Sequence, residues 1–287
     1  MTVTAAVVAV LVPVASRAEV TSTVADRTLR IAGDQADDRI EVTCAGGQVL
    51  VNGVDSDTGP FACHDVRRIE VAAGRGDDVV DLGALQRAAF DRLATTRILG
   101  GKGDDLIVGS SRRDVIVGGD GTERVFARAG EDRFYSGGEA STFRGGQGKD
   151  FLDLRGPGRW TVAQDRILRV AAGRTTLVRL SSVRIIQWAG GSGQDGFDGR
   201  AFGGALWLDG GAGHDTVRGG HRSDSIDGWH GSDVMFGGAG DDRIGGSNGD
   251  DRLRGGPGAD RISGHTGQDD CAGGPGHDEI TECEPLT

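Results

Sequence analysis

From Gly210 to Thr281 an apolar residue returns at every ninth position: Val217, Ile226, Met235, Ile244, Leu253, Ile262, Cys271 and Ile280. An earlier series keeps the same interval with Ile107, Ile116, Val125, Phe134, Phe143 and Leu152. This pattern predicts a three-residue strand per block, with its middle side chain turned inward and the rest of the block forming a loop. Ahead of each series the period shortens to two. Alternation predicts strands over Thr28 to Ile31, Ile40 to Val42 and Val49 to Val51, and again over Trp160 to Val162, Ile167 to Val170 and Thr175 to Leu180. The stretch from Leu82 to Leu99, containing ALQRAAFDRLATT, reads as a helical turn. Residues 66–78 align with residues 183–195, so the chain reads as a duplication.

Written out, the later series is GGAGHDTVR, GGHRSDSID, GWHGSDVMF, GGAGDDRIG, GSNGDDRLR, GGPGADRIS, GHTGQDDCA, GGPGHDEIT. The first residue is always Gly, and the sixth is always Asp: Asp215, Asp224, Asp233, Asp242, Asp251, Asp260, Asp269 and Asp278. In the earlier series the sixth positions are Asp105, Asp114, Glu123, Asp132, Ser141 and Asp150, so the acidic signal has decayed in part. Asp78 and Asp195 close the two aligned segments, and Asp38 reads as a worn copy of the same position. Glycine permits φ > 0 and a close approach of backbone carbonyls to a ligand. Pro257 and Pro275 sit in the loops, where no ladder N–H is needed.

These blocks resemble the GGxGxDxUx repeat of the RTX (hemolysin-type) calcium-binding proteins, over roughly half the chain. The resemblance implies an all-β fold: a right-handed parallel β-roll, or β-solenoid, with two blocks per turn, here in two modules. Blocks two apart then stack at about 4.8 Å. That puts Asp242, Asp260 and Asp278 in one column and Asp215, Asp233, Asp251 and Asp269 in another. Carboxylates repeated at that distance repel and resist burial. Several Ca²⁺ ions resolve this, because twice the Ca–O distance of about 2.3–2.6 Å matches the stacking repeat, whereas Mg²⁺ demands rigid octahedral geometry. The expected metal residues are Asp78, Asp105, Asp114, Asp132, Asp150 and Asp195, the eight aspartates from Asp215 to Asp278, and the glycines Gly237, Gly240, Gly255, Gly258, Gly273 and Gly276. A Gly/Asp solenoid without metal is the alternative.

Composition sharpens the picture. Of 287 residues 52 are Gly, 6 are Pro and 5% are aromatic, too few aromatics for a conventional core of this length. The 43 acidic and 32 basic residues leave a net charge of −11, which argues against nucleic acid or an anionic membrane as main partner. The apolar run Ala5 to Val14, followed by Ser16-Arg17-Ala18, reads as an export signal before Glu19, although Met1 to Thr4 carry no Lys or Arg. No other stretch is long and apolar enough to span a bilayer. In an exported chain the four cysteines suggest disulfides, most simply Cys44–Cys63 and Cys271–Cys283. The second would pin the tail back as a cap over Ile262 and Ile280; the alternative is a buried, unpaired Cys271.

The expected organisation is a signal (1–18), a β-rich leading segment (19–99), a first array (100–153), a second leading segment (154–209), a second array (210–281) and a tail (282–287). The loop histidines read as solvated, and Trp229 as packing on a neighbouring turn. No HExxH or Walker loop is present, which argues against an enzyme. The expectation is a secreted, calcium-binding structural or surface-binding protein. The alternatives are a carbohydrate-active enzyme or a polysaccharide-binding adhesin on the same scaffold.

Overall fold

The computed structural model describes residues 20–85, 87–136 and 141–284, so the expected export segment lies outside it. Two long sheets face each other. Sheet A runs in the order Thr21–Ala25, Thr28–Ala32, Arg68–Arg75, Thr95–Lys102, Arg113–Asp120, Arg133–Tyr135, Asp150–Arg155, Val183–Ser192, Ala205–Ala212, Ser225–His230, Arg243–Asn248, Arg261–Thr266, Glu279–Thr281. Sheet B holds the alternate blocks, and after the first antiparallel hairpin the strands of sheet A pair in parallel. Stacked residues in the second array are one double block apart, as in Ile244↔Ile262↔Ile280 on sheet A and Met235↔Leu253↔Cys271 on sheet B.

The ninth-position series forms the core. Ile107, Val125, Phe143 and Leu180 stack along sheet B, while Ile98, Ile116, Phe134 and Leu152 stack along sheet A, all buried. Phe134 and Phe143 meet across the roll with ring centroids 5.0 Å apart. The core is one side chain deep per block, so each coil depends on its neighbours for burial.

The leading segments extend the same sheets. Sheet A runs unbroken through both arrays, and sheet B bridges them through an antiparallel meander of Arg159–Ala163, Arg166–Ala171 and Arg174–Ser181. At the N-terminal end the hairpins Arg39–Ala45/Gln48–Val51 and Gln48–Val51/Val54–Asp55 turn the sheet edge antiparallel. Asn52-Gly53 has φ +52° and +80°, the left-handed pair that a two-residue hairpin requires. Cys44–Cys63 ties this end together.

Two expectations are corrected. Residues 83–84 and 87–92 form turns and a bend rather than a helical turn. Leu82, Leu85, Phe90 and Leu93 are all buried, and Arg112 Nη2 donates to the Phe90 carbonyl at 3.0 Å. These anchors override a local helix preference that is marginal at such a length. The tail is indeed joined by Cys271–Cys283, but among the described residues Glu282 to Glu284 do not cover Ile280, which stays 43% exposed, while Ile262 is buried. Because Cys271 belongs to sheet B, the bridge draws the tail onto that sheet's edge. Glu284 pairs there with Asp270, its N–H on the Asp269 carbonyl at 3.0 Å.

Cys283→Ser should therefore free the sheet B edge before anything else. Hydrogen exchange is expected to rise first at 270–284, with a global loss of about 2–3 kcal/mol from the opened loop. Uniform deprotection of both arrays would contradict this.

Candidate metal centre

Each loop runs from the first glycine of a block to its sixth-position aspartate, whose side chain turns inward. Asp78, Asp105, Asp132, Asp150, Asp215, Asp233, Asp242, Asp251, Asp260 and Asp269 are all buried, and Asp278 is half-buried at the open end. The backbone N–H of one aspartate donates to Oδ1 of the aspartate one coil later. The series Asp195, Asp215, Asp233, Asp251, Asp269 has successive N···Oδ1 distances of 2.7, 2.7, 2.8 and 2.9 Å. Its partner series, Asp224, Asp242, Asp260, Asp278, has 2.8, 2.9 and 3.0 Å. In the first array Asp78 donates to Asp105, and Asp114 to Asp132 and Asp132 to Asp150 in turn.

The second oxygen is different. Oδ2 of Asp78, Asp105, Asp132, Asp150, Asp215, Asp233, Asp242, Asp251, Asp260 and Asp269 is buried with no hydrogen-bond partner. Beside it lies the first glycine of the same block. A Cβ on Gly237 would collide with Asp242 Oδ2 and crowd the Gly255 carbonyl oxygen, and one on Gly255 would meet Asp260 Oδ2 and the Gly273 carbonyl oxygen. A Cβ on Gly273 would strike Asp278 Oδ2. The glycines thus keep open a space walled by carboxylate and carbonyl oxygens. The fourth-position glycines act otherwise: Gly258, at φ +156°, packs directly on the Gly240 carbonyl, and Gly276 on the Gly258 carbonyl. They allow loops to stack at backbone contact.

Burial first, and then the like charges above and below, raise these carboxyls. Asp233 and Asp242 reach about 7, and Asp215 and Asp251 about 6, from an ordinary 3.8. Asp132 goes to about 8, with burial the larger cause and Asp114 the next. Among the described residues no three His, Cys, Asp or Glu side chains cluster as a metal site. The available donors are instead one carboxylate oxygen per loop and the main-chain carbonyls beside it. That all-oxygen, adaptable set fits Ca²⁺.

Not every expected position is alike. Both Asp114 oxygens have protein partners: Thr96 Oγ1 and Ser110 Oγ donate to Oδ1, and the Ser110 N–H to Oδ2 at 2.8 Å. Asp195 and Asp224 likewise accept on Oδ2 from their own loops, Gly191 N–H at 2.8 Å and Gly220 N–H at 2.7 Å. On Oδ1, Asp195 accepts Gly158 N–H and Asp224 accepts Leu206 N–H. Asp38 heads the first column in a related way, taking Asp34 N–H at 2.8 Å and passing its own N–H to Asp78. These four aspartates are the first of their columns. Where the sequence has Glu123 and Ser141 instead, Ser141 Oγ donates to Glu123 Oε2, while Glu123 Oε1 is buried without a partner. Trp229 keeps the left-handed backbone of the glycine it replaces, φ +70°, and is partly exposed, at 49%.

Carboxyls raised by burial bind protons more tightly folded than unfolded. Their contribution to metal-free stability is complete below the ordinary 3.8 and is lost as pH rises through about 6 to 8. In chelator the thermal midpoint should therefore fall between about pH 5 and about pH 8. Saturating calcium should abolish or reverse that slope. A midpoint in chelator that rises with pH would overturn the reading.

Comparison with known families finds the RTX calcium-binding nonapeptide repeat in four copies, at residues 99–134, 126–156, 209–244 and 245–280. No curated protein matches the chain. The matched residues span the two arrays whose loops carry the unpartnered carboxylate oxygens. Both arrays of this chain are RTX calcium-binding repeats.

Proposed function

We propose that the chain is an extracellular structural protein whose fold is completed by several Ca²⁺ ions held between stacked loops. The observation that carries this is the column of buried Oδ2 atoms without a protein partner, each beside a glycine-lined opening. Bound there, Ca²⁺ supplies the positive charge that the burial of these carboxylates lacks. Asp215, Asp233, Asp251 and Asp269 would hold ions along one edge, and Asp242, Asp260 and Asp278 along the other. Carbonyl oxygens of Gly255 and Gly273 would complete the shell on the second edge. In the first array Asp78, Asp105, Asp132 and Asp150 are the candidates. The head aspartates Asp114, Asp195 and Asp224, satisfied by the protein, orient the first loop.

Folding and binding are coupled in this reading. Three-residue strands and glycine loops give up much backbone entropy for little apolar burial, so the ion contributes folding free energy directly. Two disulfides support an oxidising, extracellular setting. Among the described residues no helix is long and apolar enough to cross a membrane.

A calcium titration at about pH 8, where the buried carboxyls are ionised, followed by circular dichroism tests the proposal, with β signal and protease resistance at that pH expected only in calcium. Retention of both in chelator at that pH would sink it. Peptide-resolved hydrogen exchange should show the larger calcium effect in 210–281 than in 100–153, where Ser141 removes one carboxylate from the column and the Asp114 loop is closed by protein hydrogen bonds. Asp242→Asn should weaken calcium binding about tenfold or more. Asp114→Asn should instead leave calcium affinity unchanged and cost about 1–3 kcal/mol of stability in saturating calcium.

A further inference from the structure

The outer face of sheet B carries a row of arginines that neither the core nor the loops use. Thr142 pairs with Arg124 on one side and with Arg179 on the other, and Arg179 lies directly opposite Arg166 in the antiparallel meander. All three arginines are exposed. At the spacing of adjacent strands the row extends about 15 Å along the axis of the roll. Arg144 flanks it with its guanidinium 5.1 Å from the Phe126 ring centroid, which fixes the plane of the fork. Like charges directly opposite each other destabilise a strand pair unless a counter-ion lies between them. Among the described residues the one carboxylate in ion-pair reach of this row is Asp165, 3.9 Å from Arg166; Arg124, Arg144 and Arg179 have none. The protein as a whole is acidic, and Lys102 and Lys149 are the only lysines among its 32 basic residues. Basic charge on this face is thus arginine, whose planar fork matches a carboxylate or sulfate with two parallel bonds.

We propose that this arginine row binds a linear acidic polysaccharide laid along the axis of the roll. A narrow line of forked donors suits a chain with anionic groups at regular intervals. Beside it the outward Leu168 and Leu177, paired across the meander, offer an apolar surface for the C–H faces of sugar rings. Nucleic acid is disfavoured by the net charge of −11. The inference rests on the calcium reading, because loop edges with uncompensated carboxylates would repel the same polymer.

The test is calorimetric titration of the calcium-loaded full chain with short oligogalacturonate and hyaluronan, with dextran and duplex DNA as comparators. The acidic sugars should bind, and dextran and DNA should not. The Arg124→Ala/Arg179→Ala double variant should bind about tenfold more weakly. Arg124→Lys/Arg179→Lys should fall between, and Arg97→Ala/Arg133→Ala on sheet A should bind as the parent does. Circular dichroism of each variant in calcium verifies the fold. Absence of binding by the parent, unchanged binding by the alanine double variant, or equal binding of DNA would each overturn the proposal. Chelation separates the two readings: a chain that folds only in calcium but binds no acidic sugar when loaded rejects the arginine-row proposal alone, whereas a fold retained in chelator at about pH 8 rejects the calcium reading.

Discussion

A carboxylate on every coil, stacked at the spacing of β-strands, is an arrangement that cannot persist in a dry interior without compensation. This chain compensates it in two ways at once. One oxygen of each aspartate below a column head accepts the N–H of the aspartate one coil earlier, so the side chain replaces a ladder bond that the turning backbone cannot make. The other oxygen is buried without a protein partner, the place the proposed cation would fill. Loop shape, glycine placement and strand brevity all follow from keeping those oxygens in line. A larger side chain at the first loop position would fill the opening, and a longer loop would break the register of the column.

The hydrophobic core is subordinate to this arrangement. With one inward residue per block, no coil buries enough to hold itself, and cohesion along the axis comes from main-chain bonding and the carboxylate columns. The ends need other devices. At one end antiparallel hairpins and Cys44–Cys63 close the edge. At the other, Cys271–Cys283 fastens a short added strand, leaving Ile280 partly open.

Much of this is legible in the sequence, because a solenoid writes its geometry as a period. The inward positions follow from counting, the pairing of blocks two apart from the family resemblance, and both disulfides from the placing of the cysteines as one near pair at each end. What does not follow are contacts between residues outside the count. Thr96 lies before the first array, yet its hydroxyl meets Asp114, so Asp114 looks like its neighbours in the pattern and differs from them in chemistry. Arg112 and the buried Phe90 convert an apparent helical stretch into an anchored excursion. The direction of the tail depended on which sheet Cys271 joins, and not merely on its distance from Cys283.

The four head aspartates give each column a polarity. In a head loop the second-position N–H bonds to that loop's own carboxylate. In Gly238 and Gly256, further down one column, the same N–H passes instead to the carbonyl of the next coil, Gly255 and Gly273 respectively. A coil appended at the far end repeats the bonding already present, while a coil placed ahead of the head must dismantle a closed loop. The array is thus free to lengthen or shorten in one direction only, and variation in repeat number should accumulate at the C-terminal side of each column.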